Sequence, residues 1–405
     1  MNLAREIADA RPRVISALAV QFRDLDLAED AFADAAIKLI EHAERPERVA
    51  SWLFVVARRK VLDAVRRQAR QGRALERSAP VEDMADIFTM PEPIADERLR
   101  LIFICCHPAL AIEARTALAL KVICGLRVDV IARLFVTSEA TMYQRITRAK
   151  AKVRDAGIAF ELPPRKAWGE RLEAVLLTLE LAYTAAYQDA AGEIDPELSA
   201  EVARLAALIA ELLPEEPEAL GLAALVWLAR SREAARLDAS GAMVPLSQQD
   251  TRNWDFAAIE TARNWLDRAA KAGSSGPYQV MAAIQLTHAR KAFDGATDWA
   301  AVAAMYDALM AMRPGPMIAV NRAVALEKTK GASAALEALD AIEQPRVRTS
   351  RPYLVARAQM YSQLGQSDAA RKELSRALAQ NVPRAERLFL ERKLSELAQN
   401  PRSIS

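Results

Sequence analysis

The chain has 405 residues, room for two to four domains of about 100 to 200 residues each, and it is 52% hydrophobic with only 13 glycines. Its 55 Lys+Arg stand against 53 Asp+Glu, so the net charge of +2 says little and charge has to be read along the chain. Three cysteines are too few for a disulfide framework, MNLAREIADARPRV lacks the apolar core of a signal peptide, and no stretch approaches 18 uncharged apolar residues; together these predict a reducing cytoplasm and no membrane contact.

Long runs of Ala, Leu, Glu and Arg predict an all-α protein. In residues 1–70, Ile7, Val14, Ile15 and Leu18 space one apolar helix face. Leu27, Ala31, Ala35 and Leu39 space a second, whose outer side carries Glu29, Asp30, Asp34 and Lys38. After Arg45-Pro46 comes SWLFVVARRKVLDAVRRQAR, with Trp52 and Phe54 at its start and a polar side of Arg58, Arg59, Lys60, Asp63, Arg66, Arg67 and Arg70. Aromatic rings beside a basic stripe suit single-stranded DNA, because bases stack on rings while phosphates need cations; either ring is equally well placed for the core.

Residues 71–97 change character. Glu76, Glu82, Asp83, Asp86, Glu92, Asp96 and Glu97, with Pro80, Pro91 and Pro93, predict an acidic extended linker. Leu99 to Leu120 then reads as a helix pair opening the next domain, 98–162. Within it, Cys105, Cys106 and His107 have metal-ligand chemistry, but adjacent helical residues point about 100° apart and no further His lies nearby, so buried small apolar packing is expected.

The stretch GLRVDVIARLFVTSEATMYQRITRAKAKVR, from Gly125, has the layout of a helix-turn-helix. Ile131, Leu134 and Phe135 mark the first helix, and Val136, Thr137 and Ser138 the turn with a capping hydroxyl. Met142, Ile146, Ala149 and Val153 mark the core face of the second helix. That leaves Ser138, Glu139, Thr141, Tyr143, Gln144, Arg145 and Arg148 facing outward as candidates for base edges and phosphates, followed by cationic Lys150, Lys152 and Arg154.

Taken in order, LAEDAFADAAIKLIE, SWLFVVARRKVLDAVRRQAR, the acidic linker and ARTALALKVICGLRVDVIARLFVTSEATMYQRITRAKAKVR resemble a bacterial RNA polymerase sigma factor of the extracytoplasmic-function type over about residues 1 to 160. The resemblance implies core RNA polymerase and promoter DNA as partners. It implies that Asp30 and Asp34 dock on the β′ clamp helices, with further contact at the β flap. Trp52, Phe54, Arg58, Arg59, Asp63, Arg66 and Arg67 would open and read the −10 strand, and Ser138 to Arg148 with Lys150 would read the −35 element. The sequence departs from the family where Ala33 replaces a usual Gln and where Val136 and Thr137 replace Gly and an aliphatic residue. CCHPAL followed by EARTALAL also resembles a sigma subgroup with a long C-terminal extension, which implies that the extension itself regulates.

From Leu162-Pro163-Pro164 onward, 165–400 reads as helix pairs: 172–187, 198–213, 219–236, 254–270, 278–293 and 299–312 among them. Gly331-x-x-x-Ala335 recurs as Gly365-x-x-x-Ala369 at the tetratricopeptide period of about 34 residues, in which Gly and Ala let paired helices pack closely. A helical-repeat solenoid (TPR-like) with a face for a protein or peptide ligand is predicted, interrupted by a hairpin or loop at DASGAMVPLSQQD. Arg252-Asn253-Trp254-Asp255 and Asn321-Arg322 are expected to cap helices or bond between repeats. His42, His107 and His288 are far apart and no phosphate loop appears, so no catalysis, metal or cofactor is predicted. The same residues also accommodate a stand-alone helix-turn-helix regulator with a TPR-like sensor; a basic strand-opening helix at Trp52 to Arg67 separates the two readings.

Overall fold

The computed structural model describes residues 3–42, 46–70, 95–123, 126–135, 137–155, 168–189 and 196–399, and these are helical throughout, with no strand longer than one bridge. The chain divides into two compact units, 1–185 and 186–405. The acidic stretch up to residue 94, the prolines at 163 and 164, Cys124 and Val136 lie outside the described residues.

The first unit begins with a three-helix cluster: α1 (Leu3–Phe22), α2 (Leu25–Glu41) and α3 (Val49–Arg70) pack on one another. Val14, Ile15 and Leu18 of α1 are buried with Ala31, Ala35 and Leu39 of α2, as their spacing predicts, while Ile7 and Leu27 are only half-buried and Phe32 of α2 and Leu53, Ala57 and Val61 of α3 complete the core. Between α1 and α2, Arg23 takes a left-handed φ of 53° and Asp24 caps α2, accepting from the Leu27 amide at 3.0 Å. A second cluster follows: α4 (Ala95–Cys105), α5 (Ile112–Val122), α6 (Val128–Leu134) and α7 (Glu139–Asp155). The last three expected linker residues are thus the first turn of α4, which packs on α1 and α5. Its run Leu101–Cys106 is buried on every side, as a central helix must be. Burial pushes the Cys106 thiol up to about 12, and His107 Nδ1 accepts from the Ala109 amide, so the Cys-Cys-His triplet is spent on packing and a turn.

The helix after the two prolines, α8 (Trp168–Asp189), departs from the expected boundary. Its Trp168 ring meets Phe103 of α4 at 5.6 Å and Thr178 bonds to Cys106, so most of α8 completes the first unit's core and the division falls at residue 185. The first unit's core thus takes in α8, because α4 still has a face to cover.

The second unit is an array: α9 (Pro196–Leu212), α10 (Pro217–Arg230), α11 (Phe256–Lys271), α12 (Pro277–Ala289), α13 (Lys291–Asp294), α14 (Trp299–Met312), α15 (Pro316–Lys330), α16 (Ala332–Asp340), α17 (Pro345–Arg348), α18 (Arg351–Gln363), α19 (Ser367–Leu378) and α20 (Arg384–Gln399). The longer helices pack on their successors, and α10 on α12 and α15 on α18 make the longer steps. Pro in the first turn of α10, α12, α15, α17 and α18 starts each helix where its missing N–H is not needed. Asp255 caps α11, and Arg322 joins α15 to Asp307 of α14 at 2.5 Å, the capping and inter-helix roles expected of those polar residues. Residues 238–250 are not loose. Leu237 bridges Met243, Met243 donates to the Ala385 carbonyl at 2.9 Å, and Arg392 of α20 reaches Asp238 at 2.9 Å. The segment after α10 is therefore fastened to the last helix of the array.

The repeat glycines do a different job from the one expected. Gly331 and Gly365 have φ of 86° and 72° and a Cβ on either meets nothing within 4 Å, so they turn the chain between helices and set no packing distance. Close packing belongs to Gly221 of α10, where a Cβ would lie 2.7 Å from the Gln279 backbone nitrogen. Gly221→Ala should cost about 1 to 3 kcal/mol by overpacking, whereas Gly169→Ala in open space should gain up to about 1 kcal/mol from helix propensity. Urea melts of both variants check the opposite signs.

His288 of α12 is buried beside Trp299 (5.2 Å between rings) and buried Arg232, and desolvation followed by that cation pushes its pKa down from 6.5 to about 4. Between those values the unfolded chain holds a proton that the folded chain rejects, so stability rises with pH across the window. Acidification from pH 7 to pH 4 should remove about 3 kcal/mol. Chemical unfolding at both pH values should show this loss in the native chain, with this component absent in His288→Gln.

Candidate nucleic-acid interface

Two surfaces in the first unit carry the predicted DNA residues. On α3, Trp52, Arg59, Asp63, Arg66 and Arg67 follow one another at seven, four, three and one residues, which puts them on one side of the helix; Arg59, Asp63, Arg66 and Arg67 are exposed. Trp52 is half-buried with its ring edge-on to His42 at 5.4 Å, and Arg58 is half-buried. Phe54 is a correction: at 6% exposure it lies in the core between α3 and its neighbours, because it falls two residues from Trp52 and so on the opposite side of the helix. One aromatic ring, not two, stands with the basic stripe.

On α7, Ser138 caps the helix, its Oγ accepting from the Thr141 amide at 3.2 Å, as the hydroxyl in the turn predicted. Met142, Ile146, Ala149 and Val153 are buried. Thr141, Gln144, Arg145, Arg148 and Lys152 line an open groove of about 340 Å³ together with Leu110, Ala111 and Ala114 at the start of α5. Arg145 is braced by stacking on Phe135, 5.7 Å from guanidinium to ring centroid. Glu139 and Tyr143 are exposed, Tyr143 at 65%, but do not line that groove. Lys152, named in sequence only as one of the cations at the far end of the helix, lines the groove because it follows Arg148 by four residues.

Lys150 lies elsewhere. Its side chain is only 14% exposed, with the ammonium 2.8 Å from Asp26 and 2.6 Å from Glu29 of α2, and Arg154 reaches Asp26 at 3.8 Å. Arg11 of α1 bonds the other Glu29 oxygen at 2.6 Å. Burial works against the Lys150 charge, but Glu29 and Asp26 more than offset it and hold its pKa above the ordinary lysine value. Lys121 of α5, shifted downward mainly by burial, feels the same Glu29. None of Arg11, Asp26 and Lys121 was singled out from the sequence, since nothing in a helical pattern says that four helices meet there.

The expected docking helix α2 shows Asp30, Ala33, Asp34, Ile37 and Ile40 on its surface, with Ile37 at 55% and Ile40 at 67% exposure. Asp34 is paired with Lys60 of α3 at 2.7 Å, and partial desolvation raises the Asp30 carboxyl against the pull of Lys150. The two exposed isoleucines extend this acidic surface with apolar area that acid spacing alone did not reveal.

A basic stripe and an open cationic groove thus lie on two successive helical clusters of the first unit. Residues 7–71 match Sigma-70 region 2 and residues 100–153 match Sigma-70, region 4, while residues 171–270 match a family of unknown function, DUF6596. The chain belongs to one family with an uncharacterized protein of Rhizobium meliloti (strain 1021), to which it is 38% identical over 414 residues, covering 98% of this chain and 96% of the relative. No solved structure matches it. No helix among the described residues is long and apolar enough to cross a membrane.

Base contacts and phosphate contacts should separate within the α7 groove. Gln144→Ala should change which −35 sequence is preferred, at about 1 to 3 kcal/mol per lost base contact. Lys152→Ala should weaken all sequences alike and reduce the salt slope by about one. Binding titrations on a randomised duplex at several salt concentrations distinguish them.

Proposed function

We propose that the chain is an alternative sigma factor of the extracytoplasmic-function type, which binds core RNA polymerase in the cytoplasm and directs promoter recognition and initiation. The observation that carries this reading is the order of its parts: an acidic and apolar α2 surface, a basic α3 stripe headed by Trp52, then the α7 groove. In this assignment Asp30 and Asp34, with Ile37 and Ile40, dock on the β′ clamp helices. Trp52, Arg58, Arg59, Asp63, Arg66 and Arg67 take the −10 strand, and Ser138, Thr141, Gln144, Arg145 and Arg148 with Lys152 take the −35 duplex, next to the β flap.

The helical array from α9 onward acts as a tetratricopeptide-like regulatory domain. Supporting this are its helix-on-next-helix packing, the left-handed glycine turns one tetratricopeptide period apart at Gly331 and Gly365, and buried Ala335, Ala370 and Ala377. A protein or peptide segment is the ligand class such arrays accommodate.

Run-off transcription with core polymerase on promoters selected by binding tests the assignment. Promoter-specific transcripts are expected, and the Arg66→Ala/Arg67→Ala double variant should lose open-complex formation far more than −35 duplex binding, increasingly so at higher salt. Sequence-specific duplex binding without any polymerase association would instead identify a stand-alone helix-turn-helix regulator.

A further inference from the structure

Charge is divided sharply along the second unit. Residues 186–343 hold 22 Asp+Glu against 14 Lys+Arg, while residues 344–405 hold 12 Lys+Arg against 5 Asp+Glu. Such an asymmetry within one unit suits a polyanionic partner at its basic end. Several of those cations are nevertheless spent inside the fold: Arg351 on Glu386, Arg357 on Asp340 and Glu373, Arg371 on Asp368, Arg376 on Glu373, Arg392 on Asp238 and Lys393 on Glu396. Among the described residues, Arg346, Arg348, Lys372, Arg384 and Arg387 form no such pair.

The four arginines of that set stand at one corner of the array. Val347 of α17 packs on the buried cluster of α15, α16, α18, α19 and α20, which leaves Arg346 and Arg348, on either side of it, exposed. Val382, Ala385 and Leu390 seat the start of α20, leaving Arg384 exposed and Arg387 half-buried one turn on. The two segments are tied together. Gln380 Nε2 donates to the Thr349 carbonyl at 2.7 Å, and Arg351, at the start of α18, donates to the Asn381 carbonyl at 3.2 Å and pairs with Glu386 at 2.7 Å. Arg351 thus takes the acid that would otherwise neutralise the corner. Exposed Glu343 and Glu391 lie at its margins and pair with none of the four arginines.

We propose that the corner of Arg346, Arg348, Arg384 and Arg387 is a second duplex-DNA contact, which grips the phosphate backbone without reading bases. None of the exposed large hydrophobic side chains among the described residues falls on residues 344–350 or 380–388, so attraction there is electrostatic alone. That suits a duplex, which carries one negative charge per about 1.7 Å of its axis, better than a protein, whose affinity rests on buried aromatic and apolar anchors. Arginine is charged at every working pH and its planar fork matches phosphate oxygens. This rests on the DNA-binding part of the proposed function.

Duplex binding by the full chain, titrated from 50 to 200 mM salt, reads the contact. Arg346→Ala/Arg348→Ala/Arg384→Ala should lower the salt slope by about 2 to 3, so that the affinity lost across that range shrinks by roughly 20- to 60-fold, for all sequences alike. Lys at the same three positions should restore the slope, and an unchanged urea midpoint shows that the array is folded. A photo-crosslinker at exposed Glu343 should join duplex DNA in the otherwise native chain and not in the Ala variant. An unchanged slope in both the Ala variant and a charge-reversed Arg346→Glu/Arg348→Glu variant, or a crosslink that an acidic peptide but no duplex competes away, overturns the proposal. The sequence preference set by Gln144 is scored in the same titrations. Preference without a slope change removes the corner and keeps the reader on α7; a slope change without preference removes the α7 reading and keeps the corner; no duplex binding at all removes both.

Discussion

Close approach of helices through alanine is the constraint on which both units depend. Ala35, Ala57 and Ala117 in the first unit, and Ala223, Ala224, Ala262, Ala282, Ala323, Ala335, Ala370 and Ala377 in the second, are at 0% exposure. Small side chains at the contact bring helix axes toward the short end of the usual interaxial range, about 8 Å. Each such contact buries little area, so stability is spread thinly over many of them. At the seams, large polar-tipped side chains need specific partners: Trp227 meets Trp265 edge-on at 5.4 Å and donates to the Ala203 carbonyl at 3.1 Å. Arg357 is similarly placed, between the rings of Tyr353 and Tyr361 with Asp340 and Glu373 beside it.

Seventeen residues of α7 show how one helix divides its labour by angle. Met142, Ile146, Ala149 and Val153 face the core at spacings of four, three and four. Thr141, Gln144, Arg145, Arg148 and Lys152 line the groove, and Lys150 and Arg154 point to α2. Because successive residues point about 100° apart, Lys150 and Lys152, two positions apart, face different sides of the helix, one toward the carboxylates of α2 and the other into the groove. Residue type therefore could not assign Lys150 and Lys152; only the partners around the helix do so.

What was legible in the sequence follows from the same geometry. Single-helix features were readable because they repeat with the period of the helix: the core face of α7, Ala31, Ala35 and Leu39 of α2, the Ser138 cap, and the end of α14 at Met312 before Pro314. On α2, however, Leu27 is only half-buried and Glu29, expected on the outer side, is buried by its ion pairs with Arg11 and Lys150. Features needing a second helix were not. Phe54 was placed with Trp52 because both are aromatic, although two residues of helix put them on opposite sides. Gly221 gave no signal, since what requires glycine there is the backbone of Gln279, two helices further along the chain. The prolines near 163 read as a boundary, whereas the Trp168–Phe103 contact carries the first unit's core past them. The second unit kept its helix order, but α10 stops at Arg230 rather than 236 because Ser231 turns its hydroxyl onto the Leu228 carbonyl and short 3-10 turns follow.

The charge cluster between α2 and α7 owes its character to where its one well-buried acid sits. Glu29 is 7% exposed and is shared by Arg11 and Lys150, while Asp26 is half exposed and takes Lys150 and Arg154. Breaking a buried pair is expensive when it leaves a charge uncompensated in the interior. Here removal of Lys150 would still leave Glu29 with Arg11, so its carboxylate would keep a cation. Asp26, already in contact with solvent, loses little. The contact between α2 and α7 thus has directional ion pairs that fix how the two helices meet, centred on a carboxylate that two cations share.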